Sequence, residues 1–424
     1  MLQDSTIAII ILIVIIISFA TQIVPISVTA VMGALLMMVF GIITPAEAVS
    51  SFGSDTVLMV VGVMIIGNAV YETRLAAKIG HGIIGLKWVG NSERLFLLIV
   101  LVLVSMLSAF MSNTAAVAIF MPLVEASAMA SKGHIKTKNI FMAMGIASIL
   151  GGNCTLSGST PQLIAQGILG ETQGARLLGF FELSSVGIPL IAIMVIYFMT
   201  VGYVLQKKVF DFPEHEGKRS GETLPPPEGH KDMICAVILI LCIIGFTSGI
   251  YSLGAIALFC GCMCIITGCI SQKRAFETMD WTTVAVLGGA LGFAKGLNAS
   301  GAATVITHKL LGVFGGSAAS PMVLCAVLII AASLLGNVMS HTATVAVMVP
   351  IGISIAQFTG SDPIPFVVGI VIGCNLSFVT PVGTPPMTMT LTGGYRFADY
   401  AKVGGPLNAV CVAAACVLVP ILAV

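Results

Sequence analysis

Long apolar stretches, separated by short polar interruptions, run along nearly the whole chain of 424 residues. A hydrocarbon core about 30 Å thick is crossed by about 20 helical residues, so the stretches predict roughly ten transmembrane crossings. Continuous apolar helices are predicted over 5–24, 26–41, 56–71, 181–206, 233–250, 254–270, 281–297 and 402–424, and interrupted ones over 95–130, 139–170, 321–358 and 363–393.

One polar interruption occurs twice. The segment Met111–Pro122 reads MSNTAAVAIFMP and the segment Met339–Pro350 reads MSHTATVAVMVP, with seven of twelve residues identical at an offset of 228. Because the surrounding sequence is uniformly apolar, this match indicates an internal repeat. Polar interruptions at membrane depth, one in each half, are typical of the binding sites of transporters.

The repeat divides the chain into residues 1–206 and 233–424, joined by the charged, proline-rich linker 207–232. Each half is predicted to contain five crossings and one re-entrant hairpin. Since five is odd, the second half must enter the membrane from the opposite side. We therefore predict an all-α polytopic membrane protein built from two inverted repeats.

Lysine and arginine predict the orientation. Of the 19 basic residues, 16 fall in loops that lie on one side if the N-terminus is outside. The positive-inside rule then places linker 207–232 in the cytoplasm and both termini outside. The opening helix carries Asp4 where a signal peptide has a basic region, so we interpret it as a retained helix in the plasma (inner) membrane.

The segments 95–130 and 321–358 are predicted to be hairpins. As a single helix, 95–130 would be about 54 Å long, too long for one crossing, and each arm alone is about 22 Å, too short for one. It contains one charged residue, Glu125. The first hairpin is predicted to enter from the cytoplasm and the second from outside.

The hairpin tips carry the first candidate binding residues. Hydroxyl and amide side chains at a tip can cap the second arm and direct its free N–H groups, with the positive end of its dipole, at an anion. The alternative is that they only cap and pack. The candidates are Ser112, Asn113, Thr114, Ser340, His341 and Thr342.

A second polar break follows each hairpin, GGNCTLSGSTPQL from Gly151 and CNLSFVTPVGTPPMTM from Cys374. Proline blocks a helical hydrogen bond, so carbonyls before it are free to bind a cation, while nearby hydroxyls can donate to a carboxylate or sulfate. A simple proline kink is the alternative. The candidates are Ser159, Thr160, Thr384 and Pro385.

Composition excludes several classes of protein. With 57% hydrophobic and 9% charged residues the chain is expected to lie in the lipid bilayer, and its net charge of +1 argues against a nucleic-acid partner. An enzyme is not expected, because no HExxH motif is present and neighbouring Ser340 and His341 would point apart on a helix. An anion channel remains an alternative, although a channel would have a continuous polar pore lining.

These residues together resemble the divalent anion/sodium symporter family, whose members carry paired Ser-Asn-Thr hairpin tips and Gly-Thr/Ser-Pro-Pro-type breaks. The similarity spans nearly the whole sequence, including GGYRFADYAKVGGPL after Gly393. It implies a homodimer with an elevator-type scaffold domain and a mobile transport domain. It also implies that the anion contacts Ser112, Asn113, Ser159, Ser340, Thr342 and Thr384.

The same resemblance implies sodium as the coupling ion and no organic cofactor. The first sodium site would be formed by Ser108, Ser112, Asn113 and Gly158. The second is in doubt, because Gly336 and His341 replace a threonine and an asparagine that the family commonly has there. By resemblance that second site would comprise Gly336, Met339, His341 and Gly383.

No lysine or arginine lies near either tip, so another group must neutralise a dianion. Sodium is one candidate, and a protonated His341 is a second; a neutral His341 that only forms hydrogen bonds is the alternative. The predicted function is sodium-coupled transport of a small divalent anion, most simply a dicarboxylate. Dicarboxylate exchange and sulfate transport remain alternatives.

Overall fold

A computed structural model describes residues 4–21, 23–75, 92–131, 134–172, 174–212, 230–248, 250–302, 304–306, 320–381 and 383–423. Every regular element in these ranges is helical. Most of linker 207–232, of residues 72–94 and of residues 298–320 lies outside the described residues.

The described part of the first half contains ten helices. Three-residue 3₁₀ turns lie at 51–53 and 137–139. The helices are α1 (Asp4–Thr21), α2 (Ile26–Val39), α3 (Pro45–Ser50), α4 (Asp55–Glu72), α5 (Glu93–Ser108), α6 (Asn113–Ala130), α7 (Phe141–Gly152), α8 (Thr160–Gly170), α9 (Ser184–Met199) and α10 (Val201–Val209).

The described part of the second half repeats this order closely and ends in one long helix. A 3₁₀ turn at 391–393 precedes that helix. The helices are α11 (Lys231–Ser248), α12 (Leu253–Ile266), α13 (Gln272–Glu277), α14 (Trp281–Ala299), α15 (Pro321–Gly336), α16 (His341–Thr359), α17 (Pro363–Asn375), α18 (Pro385–Thr390) and α19 (Phe397–Leu422).

Four described spans are long and apolar enough to cross a membrane, or five if the bent pair α9 and α10 counts as one: Pro45–Glu72, Lys231–Ser248, His341–Thr359 and Phe397–Leu422. Several of the remaining helices are apolar but have only 10–17 residues. Short helices are what broken crossings and hairpin arms require, because each piece covers only part of the membrane. The number of crossings stays a prediction.

The helices pack into two groups. The support group comprises α1 to α4, α11, α12 and α14, in which α4 packs along α12 and α2 along α14. The hairpin group comprises α5 to α10 and α15 to α19. At Gly62 the backbones of α4 and α12 nearly touch, since an added Cβ would lie 2.2 Å from the carbonyl carbon of Ala257. The groups meet where α8 packs against α4 and α14 and where α16 packs against α14.

Each segment predicted to be a hairpin consists of two helices joined by a short turn. Helix α5 turns into α6 across four residues, and α15 turns into α16 across another four. Each hairpin packs on the broken helix that follows it in the sequence, the first on α7 and the second on α17. The two interrupted segments of each half therefore lie side by side, although they are separated in sequence.

Candidate functional site

A serine caps the second helix of each hairpin. The side chain of Ser112 accepts a hydrogen bond from the backbone N–H of Ala115 at 3.3 Å, and that of Ser340 accepts from Ala343 at 3.3 Å. Both serines stand just before the first helical residue in extended backbone, which is N-cap geometry. The predicted capping of the second arms is confirmed.

The helices after the proline breaks begin without a side-chain cap hydrogen bond. Ser159 precedes α8 and Thr384 precedes α18, both in extended backbone, and prolines occupy the first turn of each helix. Proline is tolerated there because its missing N–H would have no helical partner. Each break is thus a full interruption of the helix.

All four breaks border one cavity of about 920 Å³ between the two helix groups. Every predicted anion-binding residue lines it: Ser112, Asn113, Thr114, Ser159, Thr160, Ser340, His341, Thr342, Thr384 and Pro385. Support-group residues, among them Val60, Asn68, Thr278 and Asp280, form the facing wall. Residues from both halves of the sequence therefore line the same cavity.

The cavity wall has no lysine or arginine among the described residues, and its ionisable side chains are Asp280 and His341. Asp280 caps α14, accepting from the backbone N–H of Thr283 at 3.2 Å and from its hydroxyl at 2.5 Å. An anion in this chamber would therefore be held by neutral donors and by the N-terminal ends of helices such as α6, α8 and α16.

Oxygen atoms converge behind the first tip. One end of the Asn113 carboxamide lies 3.0 Å from the carbonyl oxygens of Gly158 and Ser148, and 2.7 Å from Ser108 Oγ. With its nitrogen there, the amide has two N–H groups to donate to these three oxygens; with its oxygen there, four oxygens face one another. Hard cations bind oxygen ligands, so this group, the oxygen cluster, has the chemistry of a sodium site.

Of the four residues predicted for the first sodium site, the oxygen cluster contains Ser108, Asn113 and Gly158 and adds the carbonyl of Ser148. The Ser108 side chain is fully buried, and that of Asn113 is buried next to the cavity. Ser112 caps α6 beside them.

The corresponding position in the second half is filled by an imidazole. His341 is 3% exposed; its Nδ1 lies 3.0 Å from Asn375 Oδ1, and its Nε2 is hydrogen-bonded to Ser377 Oγ. Because Asn375 turns its oxygen to the ring, Nδ1 carries the hydrogen, and Nε2 accepts from the Ser377 hydroxyl in the neutral ring. Both partners are uncharged.

The other residues predicted for the second sodium site supply no side-chain oxygen. An added Cβ on Gly336 would lie 2.4 Å from the carbonyl oxygen of Cys374, and one on Gly383 would lie 2.5 Å from the carbonyl oxygen of Gly336. Met339 is buried in the apolar core. These three residues offer no side-chain oxygen, whereas Ser108 and Asn113 each supply one in the oxygen cluster of the first half.

A chain of buried hydrogen bonds joins the halves. Asn375 Nδ2 donates to Asn153 Oδ1 at 2.6 Å, and Gln162 Nε2 reaches the same oxygen at 3.4 Å and the carbonyl of Gly152 at 2.9 Å. Ser159 donates to Gln162 Oε1 at 2.5 Å. Asn153, Asn375 and Ser377 were missed by the sequence reasoning. Asn153 and Asn375 could have been found from the sequence, because both proline-containing breaks have an asparagine near their start.

Comparisons with known proteins agree with this geometry. The profile of the citrate transporter family (CitMHS) matches residues 10–351 and, in an overlapping match, 243–424. The sodium-dependent dicarboxylate transporter SdcS of Staphylococcus saprophyticus is 24% identical over 423 residues, covering 92% of this chain and 80% of that protein. An uncharacterized transporter of Haemophilus influenzae is 28% identical over 408 residues, covering 91% and 85%.

Two solved transporter structures share the fold. The YdaH transporter of Alcanivorax borkumensis has a TM-score of 0.57 and 13% identity, with 88% of this chain and 86% of that chain covered. MtrF of Neisseria gonorrhoeae has a TM-score of 0.60 and 14% identity, with 99% and 94% covered. At these identities the likeness concerns the fold alone.

The family match agrees with the resemblance drawn from the hairpin tips and proline breaks, and it makes the protein a multi-pass membrane transporter and not an enzyme. Since the profile covers most of the sequence, the chain belongs to the citrate transporter family.

Proposed function

We propose that this protein carries a small divalent carboxylate across the plasma membrane, coupled to sodium, by an elevator-type alternating-access mechanism. The observation that carries the proposal is the convergence of four polar helix breaks, two from each half, on one cavity beside an oxygen cluster. The sodium-dependent dicarboxylate transporters among its relatives support the choice of ion and substrate.

The charges around the cavity support coupling to sodium. A dianion in a cavity without basic side chains is stabilised by helix N-termini, each equivalent to about half a positive charge, and by hydroxyl donors. A sodium ion held by Ser108, Asn113 and the carbonyls of Gly158 and Ser148 would add a full positive charge close to the Ser112 tip. Binding of anion and cation would then favour each other.

His341 takes no proton in this proposal. Its two ring nitrogens face an amide oxygen and a hydroxyl, and no carboxylate lies among the hydrogen-bond partners of these groups in the described chain. The imidazole stays neutral and holds the second tip against the break that begins at Asn375.

The arrangement of the cavity supports an inward-facing state. Its support-group wall is formed at the end of α4, at Asn68, and just before α14, at Thr278 and Asp280. In the proposed topology, with both termini outside and linker 207–232 inside, these helix ends are cytoplasmic. Movement of the hairpin group against the support group would carry the cavity to the other side. The inverted repeats and the homodimer belong to the same proposal.

The proposal is tested by thermal stability of the purified protein with small anions, each measured with sodium and with potassium. We expect a dicarboxylate such as succinate to raise the melting temperature in sodium and to have little effect in potassium. Sulfate is the comparison anion for the alternative substrate. If no dianion stabilises the protein in either salt, the proposal is wrong.

Dicarboxylate exchange is the second candidate, and His341 is the observation that favours it. An imidazole in place of a second cation leaves fewer ions to drive net uptake. Preloading proteoliposomes with dicarboxylate separates the two functions, because an exchanger needs the internal anion and a symporter does not. An anion channel would carry current that neither sodium nor internal anion controls.

A further inference from the structure

One ion pair crosses the boundary between the support group and the hairpin group. Lys295 Nζ on α14 lies 3.1 Å from an oxygen of Glu171, which directly follows the last residue of α8. The other ion pairs among the described residues do not cross that boundary: two lie within the hairpin group, and two involve α13, which packs on α4. In the described chain, the ion pair of Lys295 with Glu171 is therefore the one that joins the groups.

The pair lies far from the cavity. Lys295 comes 12 residues after Thr283 on α14, and Thr283 lines the cavity. Glu171 comes 11 residues after Thr160, which begins α8 and also lines the cavity. At a rise of 1.5 Å per residue, the two helices place these charges about 16 to 18 Å from it. The pair therefore lies at the opposite end of the contact between the groups, which is the outer end in the proposed topology.

Glu171 does not stabilise its own helix. It is the C-cap residue of α8, where the negative end of the helix dipole disfavours a carboxylate. The side chains of Lys295 and Glu171 are 21% and 29% exposed, so their attraction is only partly screened by solvent. The favourable partner of the Glu171 carboxylate is thus a lysine on the other helix group.

Lys295 has further partners on its own group. Its ammonium donates to Ser50 Oγ at 3.2 Å, and its charge also acts on Glu47. Both residues belong to α3, which packs on α14, so these contacts stay with Lys295 when the hairpin group moves. Loss of Glu171 therefore leaves the ammonium with a hydroxyl and a second carboxylate nearby, and the ion pair can break and form again.

We propose that the ion pair of Lys295 with Glu171 is a latch that stabilises the inward-facing state and opens each time the hairpin group moves. The inference rests on the proposed function, because it requires alternating access. Neither residue lines the cavity, so both are positioning residues. Substrate outside binds only outward-facing protein, so a latch that lowers this fraction weakens the apparent affinity for external substrate by the same factor.

Charge removal tests the latch by uptake of labelled succinate into right-side-out membrane vesicles at saturating sodium. Glu171→Gln and Lys295→Met should each lower the half-saturating concentration of external succinate about twofold to fivefold, the range for a partly exposed ion pair. Glu171→Gln should have no further effect when Lys295→Met is already present, because the pair is then already lost. Additive effects of the two changes would contradict a latch formed by this pair.

Arg176→Gln is the matched control. Arg176 forms an ion pair with Glu182 at 2.7 Å, and its side chain is also partly exposed. Both partners lie between α8 and α9 in the hairpin group, so movement of that group does not separate them. This variant should keep the half-saturating concentration of the natural protein. A decrease as large as that of Glu171→Gln would show that the measurement responds to any lost surface charge, which would overturn the assignment.

Cross-linking tests whether the two positions separate during transport. The double variant Glu171→Cys/Lys295→Cys is treated in the vesicles with a short, reducible bis-methanethiosulfonate reagent, and the linked peptides are identified by mass spectrometry. We expect the linked protein to lose uptake and dithiothreitol to restore it. Each single cysteine variant is the control for the eleven natural cysteines and should keep its uptake after treatment.

The outcomes distinguish this inference from the proposed function. Linked protein that still takes up succinate, absence of the linked peptides, or an unchanged half-saturating concentration in both charge variants overturns the latch and leaves sodium-coupled transport standing. If the natural protein takes up no succinate or other dicarboxylate in sodium, the proposed function itself is wrong, and the latch falls with it.

Discussion

Asn375 Nδ2 donates to Asn153 Oδ1 across 2.6 Å, which joins the break of the second half to that of the first. The two residues are 222 positions apart in the sequence; Asn153 directly follows α7, and Asn375 is the last residue of α17. Through Asn375 the bond reaches His341 at one hairpin tip, and through Gln162 it reaches Ser159. Hydrogen bonds therefore link the polar breaks of both halves beside the cavity.

Replacing Asn375 should destabilise the protein. Asn375→Ala leaves the Nδ1–H of His341 without a partner and leaves the oxygen of Asn153 with only the 3.4 Å contact to Gln162 Nε2. A stranded buried polar group costs about 1–3 kcal/mol. The melting temperature of the purified protein should fall by several degrees. Asn298→Ala is the control, because Asn298 is exposed on α14, and it should leave the melting temperature unchanged. Equal stability of both variants would contradict the role of the bond.

Removing the Ser108 hydroxyl should weaken sodium binding. Ser108→Ala takes one oxygen from the cluster around Asn113. We expect the sodium concentration that gives half-maximal thermal stabilisation to rise about tenfold, the effect of about 1.4 kcal/mol. Ser105→Ala is the matched control, since Ser105 lies one turn earlier on α5, is also buried, and bonds the carbonyl of Ala147 at 3.1 Å. A similar change in both variants would place the sodium elsewhere.

Sodium should act without cooperativity. The described structure has one oxygen cluster, in the first half, and His341 fills the corresponding place in the second. The dependence of dicarboxylate uptake on sodium concentration should therefore follow a Hill coefficient close to one. A coefficient near two in the natural protein would contradict this and would require a second cation site.

A side chain at Gly336 should not create that second site. In Gly336→Ser the added Cβ would lie 2.4 Å from the carbonyl oxygen of Cys374, so α15 and α17 must separate. Overpacking of this kind destabilises by about 1–3 kcal/mol, and the variant should melt lower without binding more sodium. Gly405→Ser is the control, because nothing lies within 4 Å of its added Cβ. A stable variant with a steeper sodium dependence would overturn the assignment.

Local chemistry explains what could be predicted from the sequence. Ser112 and Ser340 were expected to cap the second arms because a polar residue before an apolar helical run has few other places to bond. The proline breaks at Pro161 and Pro385 follow from the missing backbone donor. Duplication predicted a binding site at the two hairpin tips, and the family resemblance implied that Ser159 and Thr384 of the proline breaks belong to it. Residues of all four breaks line the cavity.

Long-range pairing explains what could not be predicted. The contact of Asn375 with Asn153 depends on how two broken helices cross, which no local pattern encodes. The hydrogen bond from Ser159 to Gln162 depends on the rotation of the Gln162 amide, which also donates to the carbonyl of Gly152 ten residues away. His341 was expected in the cavity, but its neutral partners became visible only once Asn375 and Ser377 were placed.

The most direct test of the central claim is uptake of radiolabelled succinate or malate into proteoliposomes under separately imposed sodium and proton gradients. We expect an inward sodium gradient to drive accumulation and an inward proton gradient alone to drive none. The His341→Asn variant should likewise accumulate substrate under the sodium gradient and not under the proton gradient. Accumulation driven by protons without sodium, or no accumulation under either gradient, would contradict sodium-coupled carboxylate transport.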